Sequence, residues 1–309
     1  MSSTSTTAGP SGRAGPPGAP NLTKRPRPGE AVIKTILVIS ALISVGVTVG
    51  IVIALIRPVI DFFQEVSFGD FFATEGQFAV VPLITATLLI TAIALVVAVP
   101  LGLGAAAYLS EYASRRARRV LKPTVELLAG IPSVVYGFFA LSFVTPTLLQ
   151  DFLSMDIGFT NALAAGLVLG VMVIPTIASL AEDAMTAVPQ ALRQGSFAMG
   201  ANRMQTTVRV VFPAALSGIA AAIVLGMSRA IGETMIVTLA AGSLKNLSLD
   251  PRENMQAMTG FIATTAGGEN PVGSTPYNNL FAVGLTLFVI TFILNLISIR
   301  IVRRYRQVY

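Results

Sequence analysis

The sequence has no cysteine and no histidine, and only 12% of its residues are charged. The first absence excludes disulfides and thiolate metal sites. The second removes the usual general base, the zinc-binding imidazole and the haem ligand. Lysine is scarce too: Lys24, Lys34, Lys122 and Lys245 are the four present, and none stands between a Gly and a Ser or Thr. A phosphate-cradling loop of the Gly-x-x-x-x-Gly-Lys-Ser/Thr kind is therefore missing, so the chain is not its own ATPase. Most hydrolase and metalloenzyme readings fall with these absences, and neither cofactor nor metal is expected. Charge this sparse is about half of what a soluble domain carries. With 53% of residues hydrophobic, lipid is the expected solvent.

What the chain has instead is long apolar runs. Residues 33–56, 81–108, 125–149, 160–180, 214–241 and 280–299 each supply the ~20 residues a helix needs to cross hydrocarbon. The expected fold is all-α, a polytopic membrane protein with six transmembrane helices. Residues 1–29, rich in Ser, Thr, Gly and Pro, bury too little to order themselves and read as a disordered cytoplasmic tail ahead of a transmembrane domain over 30–309. The first apolar run is too long for a signal peptide and has no small-residue cleavage site after it, so it is expected to stay as the first span.

The net charge of +6 follows the membrane rather than a nucleic acid, because the basic residues cluster at the ends of apolar runs. With the amino terminus inside, the cytoplasmic side receives Lys24, Arg25, Arg27 and Lys34, the run Arg115, Arg116, Arg118, Arg119 and Lys122, then Arg193, Arg203 and Arg209, and last Arg300, Arg303, Arg304 and Arg306. The outer side receives only Arg57, Lys245 and Arg252, among acids such as Asp61, Asp70, Asp156, Asp250 and Glu253. Both termini are then cytoplasmic, in a bacterial inner membrane.

Two long connections, 181–212 and 242–278, are candidates for function by their length. In the first, Pro189 suits a first helical turn, Gly200 a left-handed stop, and Asn202 with Gln205 a capping box. An ordinary re-entry loop would look much the same. Within the fifth run, Arg229 and Glu233 stand four residues apart, hence on one helix face, inside an otherwise apolar stretch. A charge at the bilayer centre costs at least ~2.5 kcal/mol unless it is paired or faces water. Counting from Pro213 puts Arg229 roughly 24 Å along the helix, in the outer half. A structural ion pair or a snorkelling arginine would account for the same pattern. Glu233 is the only acid read as lying well inside a span. Pro132 falls early in the third run, where it frees a backbone carbonyl, so Gly130 to Ser133 either line a path or form a packing kink. Gly46 with Gly50, and Gly166 with Gly170, have small-xxx-small spacing suited to close helix approach, and Gly102-Leu103-Gly104 is a weak Gly-rich match that reflects helix packing.

The spacing from Gln194-Gly195-Ser196 through Gly200 to Val210-Val211-Phe212-Pro213 resembles the coupling motif of ABC importer permeases, Glu-Ala-Ala, three residues, Gly, nine residues, Ile, one residue, Leu-Pro. Gln194 replaces the Glu, and Gly195-Ser196 replace the alanines. The stretches Ala129-Gly130-Ile131-Pro132-Ser133-Val134-Val135-Tyr136-Gly137 and Ser228-Arg229-Ala230-Ile231-Gly232-Glu233-Thr234-Met235 resemble the phosphate-specific importer permeases, and Gly-Glu-Thr-Met resembles their PstC type. The resemblance implies a type I ABC importer permease fold, a PstA-type permease partner, a soluble ATPase dimer and an outer phosphate-binding protein. It also implies substrate translocation by Arg229, Glu233, Gly130, Pro132 and Ser133, and ATPase coupling through Gln194, Gly195, Ser196, Gly200, Asn202 and Pro213. The guanidinium would bind phosphate oxygens while Glu233 holds it in place. Residues 250–277 would meet the binding protein. Three rivals are a permease for another oxyanion, a gradient-driven secondary transporter and an intramembrane enzyme; the second would need inverted repeats and intramembrane carboxylates, and the third lacks a catalytic set.

Overall fold

The computed structural model describes residues 28–304. The expected disordered tail lies outside them, apart from Pro28 and Gly29, which open the first helix. Among the described residues all regular structure is helical: α1 Pro28–Glu65, α2 Phe68–Phe71, α3 Val81–Ala107, α4 Arg115–Leu128, α5 Ser133–Phe139, α6 Ala162–Thr186, α7 Gln190–Ala198, α8 Arg203–Thr206, α9 Phe212–Ala214, α10 Leu216–Ile231, α11 Met235–Ala240, α12 Met258–Ala266 and α13 Thr275–Arg304. Three of them run on into π-helical turns, α3 over Tyr108–Tyr112, α5 over Ala140–Phe152 and α8 over Thr207–Val211. Among the described residues five helices are long and apolar enough to cross a membrane, and there are six if the pair Arg203–Ala214 and Leu216–Ile231, bent by 72°, is one broken span.

The chain divides into two units between Ile51 and Val52. In the first, residues 29–51 of α1 are exposed throughout. The second holds the elements that follow. Its centre is α3 packed on α6, where Ile90, Ala94, Leu169, Met172 and Val173 are buried. Close approach depends on missing side chains: a Cβ on Gly166 would stand 2.7 Å from Ile93 Cβ, and one on Gly170 2.9 Å from the Ala94 carbonyl oxygen. The small-xxx-small spacing therefore does pack α6 on α3, and Gly102 likewise meets Ile177. For Gly46, Gly50 and Gly104 an added Cβ would meet nothing within 4 Å in this chain. Smaller apolar clusters close the two ends, one around Phe62, Phe71, Leu83 and Met258, the other around Met185, Val188, Val211 and Ile219.

Two of the expected continuous runs are broken. The third is α4, a non-helical stretch 129–132, and α5 with its π-turns. Pro132 is therefore not an interior kink but the residue that caps α5, with φ −58° and ψ 135°, conformations a proline ring readily holds. The break satisfies its backbone with tight turns, Gly130 N–H to Leu127 O at 3.0 Å among them, and the Tyr136 hydroxyl donates to the Leu128 carbonyl at 3.0 Å. The fifth run is α10, a break over 232–234, and α11. Gly232 ends α10, so Glu233 is not on the same helix as Arg229.

Candidate functional site

The two broken runs share a reference point at the start of α6. The Asn161 N–H there donates to Ala240 O at 2.8 Å, and its side-chain amide reaches Thr145 Oγ1 at 3.3 Å. The 72° bend before Leu216 and the break over 232–234 both interrupt the straight helix on which the count from Pro213 to Arg229 relied. The helices that follow the two breaks pack together, α5 on α11, where a Cβ on Gly137 would stand 2.8 Å from Leu239 Cδ1.

The expected Arg229–Glu233 ion pair is absent among the described residues. Glu233 turns the other way: its Oε1 accepts the N–H groups of Met235 at 3.0 Å and Ile236 at 3.3 Å, closing the amino end of α11. A carboxylate is favoured there because a helix start carries free donors and partial positive charge. The Glu233 carbonyl in turn accepts from Thr259 Oγ1 of α12 at 2.7 Å. Arg229, exposed in the last turn of α10, has no hydrogen-bond or ion-pair partner among the described residues. Gly130 and Pro132 are exposed and Ser133 is half-buried. What the breaks create is an open guanidinium flanked by loosened backbone, chemically suited to an anion.

Residues 190–209 form the expected two short helices. Gln194, Gly195 and Ser196 lie on α7, Gly200 takes φ +83°, and the Asn202–Gln205 capping box is formed in both directions. Pro189 is one position earlier than expected, capping α7 rather than opening its first turn. Ser196 Oγ lies 2.9 Å from Thr206 Oγ1, bracing α7 on α8, while Phe197, Met199 and Met204 are exposed. Pro213 lies in α9, just before the bend.

Several residues were not foreseen. Glu182 is an acid near the end of α6 with a side chain 0% exposed. It pairs with Arg118 and with Lys122 Nζ at 2.6 Å, both from α4. Arg193 of α7 is buried and donates to Glu111 at 2.9 Å and to the carbonyls of Met185, at 2.8 Å, and Val188. Acids beside a run of basic residues were the available signal. At the opposite end, residues 242–257 fold back by Met255 N–H to Ala241 O at 2.9 Å, and α12 packs on α3, α11 and α13. This segment is thus partly structural. The uncharged stretch over α12, too short to span, is typical of a re-entrant helix. Lys245 bonds Gln77 O at 2.5 Å and sits 4.5 Å from the Phe261 ring centroid; its burial lowers its pKa to about 8. Arg252 holds Asp250 down at about 2.

Residues 98–307 match the family of binding-protein-dependent transport system inner membrane components. The chain belongs to this family. This inner-membrane component is 39% identical over 220 residues to the probable ABC transporter permease protein YqgH of Bacillus subtilis, covering 71% of this chain and 70% of the relative. It is 36% identical to the phosphate transport system permease protein PstC of Mesorhizobium japonicum, covering 72% of each. With PstC of Haemophilus influenzae the identity is 30%, over 87% of this chain and 92% of that one. In fold it is similar to a chain of a bacterial alginate ABC transporter solved with its alginate pentasaccharide-bound periplasmic protein, with a TM-score of 0.65, 17% identity, and coverage of 89% and 95%. The inner-membrane component is therefore an all-α, multi-pass permease subunit of an ABC importer, with the type I permease fold.

Proposed function

We propose that this permease carries inorganic phosphate into the cytoplasm as the PstC-type subunit of its importer. The observation that carries the reading is Arg229, a guanidinium in the last turn of α10, just before its break, with no hydrogen-bond or ion-pair partner among the described residues. The relatives named as phosphate permeases supply the substrate. An arginine there offers forked, charge-assisted donors to phosphate oxygens, and with no carboxylate locked onto it those donors are free. Glu233 is held at the start of α11, where its carboxylate closes the helix and fixes the end of the break. Gly130, Pro132 and Ser133 line the opposite side of the passage.

The segment from α7 to α8, with Gln194, Gly195, Ser196, Gly200 and Asn202, docks on a soluble ATPase dimer, and Pro213 joins it to the bend. Phe197, Met199 and Met204 give that face apolar contacts; Gln194 supplies a neutral amide where an ionic contact would otherwise form. A PstA-type permease completes the passage, and an outer phosphate-binding protein meets residues 250–277. The basic end carrying α4 and α7 faces the cytoplasm, as do both termini. ATP-driven closure of the ATPase pair pushes on α7 and rocks the spans between inward-open and outward-open states.

Uptake of labelled phosphate, sulfate and molybdate in cells lacking other phosphate importers tests the reading. Deletion of this subunit should remove high-affinity phosphate uptake alone. Unchanged phosphate uptake, with loss of another oxyanion, would overturn it.

A further inference from the structure

Helix α4 is held unusually. None of its residues is buried, and Val120 and Leu127 on its apolar side are 65% and 74% exposed, so hydrophobic packing within the chain does not fix it. Ion pairs do. Glu182, wholly buried on α6, receives Arg118 and Lys122, Lys122 also reaches Asp183 at 2.8 Å, and Thr186 hydrogen-bonds Glu182 at 3.1 Å. A buried carboxylate stripped of its cations is strongly disfavoured, so α4 follows α6 at this point.

The same end of α6 is tied to α7. Arg193 spans from α7 to the Met185 and Val188 carbonyls and to Glu111 at the end of the α3 π-turn. Arg118 and Arg193 line one polar cavity of about 240 Å³, together with Thr186 and Gln190. At its far end α4 stops at Leu128, whose carbonyl takes the Tyr136 hydroxyl, immediately before the break over residues 129–132. The helix is thus a lever with its ionic anchor near one end and its tip at the break.

We propose that Glu182 is a positioning residue that carries movement of α7 through the end of α6 to α4, and so to the break at Gly130 to Ser133. This rests on the permease reading above, with α7 as the segment that the ATPase moves. Movement of α7 drags the end of α6 through Arg193; Glu182 passes it to Arg118 and Lys122; and α4 swings its tip against the Arg229 site.

The test uses the assembled importer with its ATPase, in nanodiscs. This chain has no cysteine, so Leu127→Cys on α4 and Val171→Cys on α6 place a nitroxide pair once the cysteines of the other subunits are replaced. Trapping the ATPase with ADP and vanadate should shift the α4–α6 distance. Glu182→Gln should abolish that shift while ATP hydrolysis continues, and phosphate imported per ATP should fall at least roughly fivefold, the lower edge of usual coupling. Glu182→Asp should restore both. If Glu182→Gln does not assemble, the neutralised triple variant Arg118→Gln, Lys122→Gln, Glu182→Gln leaves no lone buried charge and is read in the same way. A full shift in the Gln variant, or no shift in the parent, overturns the proposal. The distances involve no phosphate, so a parent that shifts without importing phosphate sinks only the substrate reading.

Discussion

Arg229 is an exposed cation and Lys245 a half-buried one, and they should behave differently. Arg229 lacks a hydrogen-bond or ion-pair partner among the described residues, so its forked donors are open to a ligand. Losing a charged hydrogen bond costs about 1.5–3 kcal/mol, so Arg229→Ala should cut phosphate uptake roughly tenfold or more while the complex still assembles. Arg229→Lys should recover only part, because one ammonium does not reproduce the fork. Normal uptake by the alanine variant would exclude a transport role. Lys245 is half-buried in the segment after α11, with a pKa lowered to about 8. Unfolded chain holds that proton up to the ordinary lysine value, so between about pH 8 and 10.5 the unfolded state binds more protons, and this residue's share of stability rises with pH. Competitive acetylation should show an amine titrating near 8; a midpoint at the free-lysine value would contradict the burial.

The helical elements show where local chemistry was decisive. Gly200 ends α7 with φ +83°, a conformation that costs other residues about 1–2 kcal/mol, so Gly200→Val should weaken ATPase capture in detergent pull-down. Asn202→Ala removes half of the capping box and should lower α8 stability by about 1 kcal/mol, seen as faster amide exchange over residues 203–206. Both features were legible in the sequence because they depend on residues within one turn. The apolar runs were legible for the same reason: hydropathy decides burial in lipid. The break after Ile231 was not. Gly232-Glu233-Thr234 carries no proline, and its backbone is loosened by contacts from afar, Thr259 to the Glu233 carbonyl above all. The i, i+4 spacing of Arg229 and Glu233 therefore suggested a pair that the fold does not make. Glu182 was hidden similarly, since only tertiary packing brings Arg118 and Lys122 to it.

Across the whole molecule, charge is segregated to a degree that packing alone does not require. Ion pairs that involve Arg118, Lys122 and Arg193 gather at one end, whereas the Asp250–Arg252 pair and Lys245 stand at the other. Arg115, Arg116 and Arg119 add exposed positive charge to the first end. Basic residues in short connections are retained on the cytoplasmic side during insertion, so this end should face inward. The absence of cysteine makes the sidedness directly measurable. Met199, 88% exposed between α7 and α8, and Leu249, 77% exposed in the opposite segment, can each be changed to cysteine with little loss of packing. In intact spheroplasts an impermeant maleimide should label Leu249→Cys and spare Met199→Cys until the membrane is opened. Adding the ATPase to opened membranes should then slow labelling at Met199→Cys, because the docked subunit covers that turn, and leave Leu249→Cys unchanged. The reverse order of labelling would invert the topology and place the α7–α8 segment out of reach of any cytoplasmic motor.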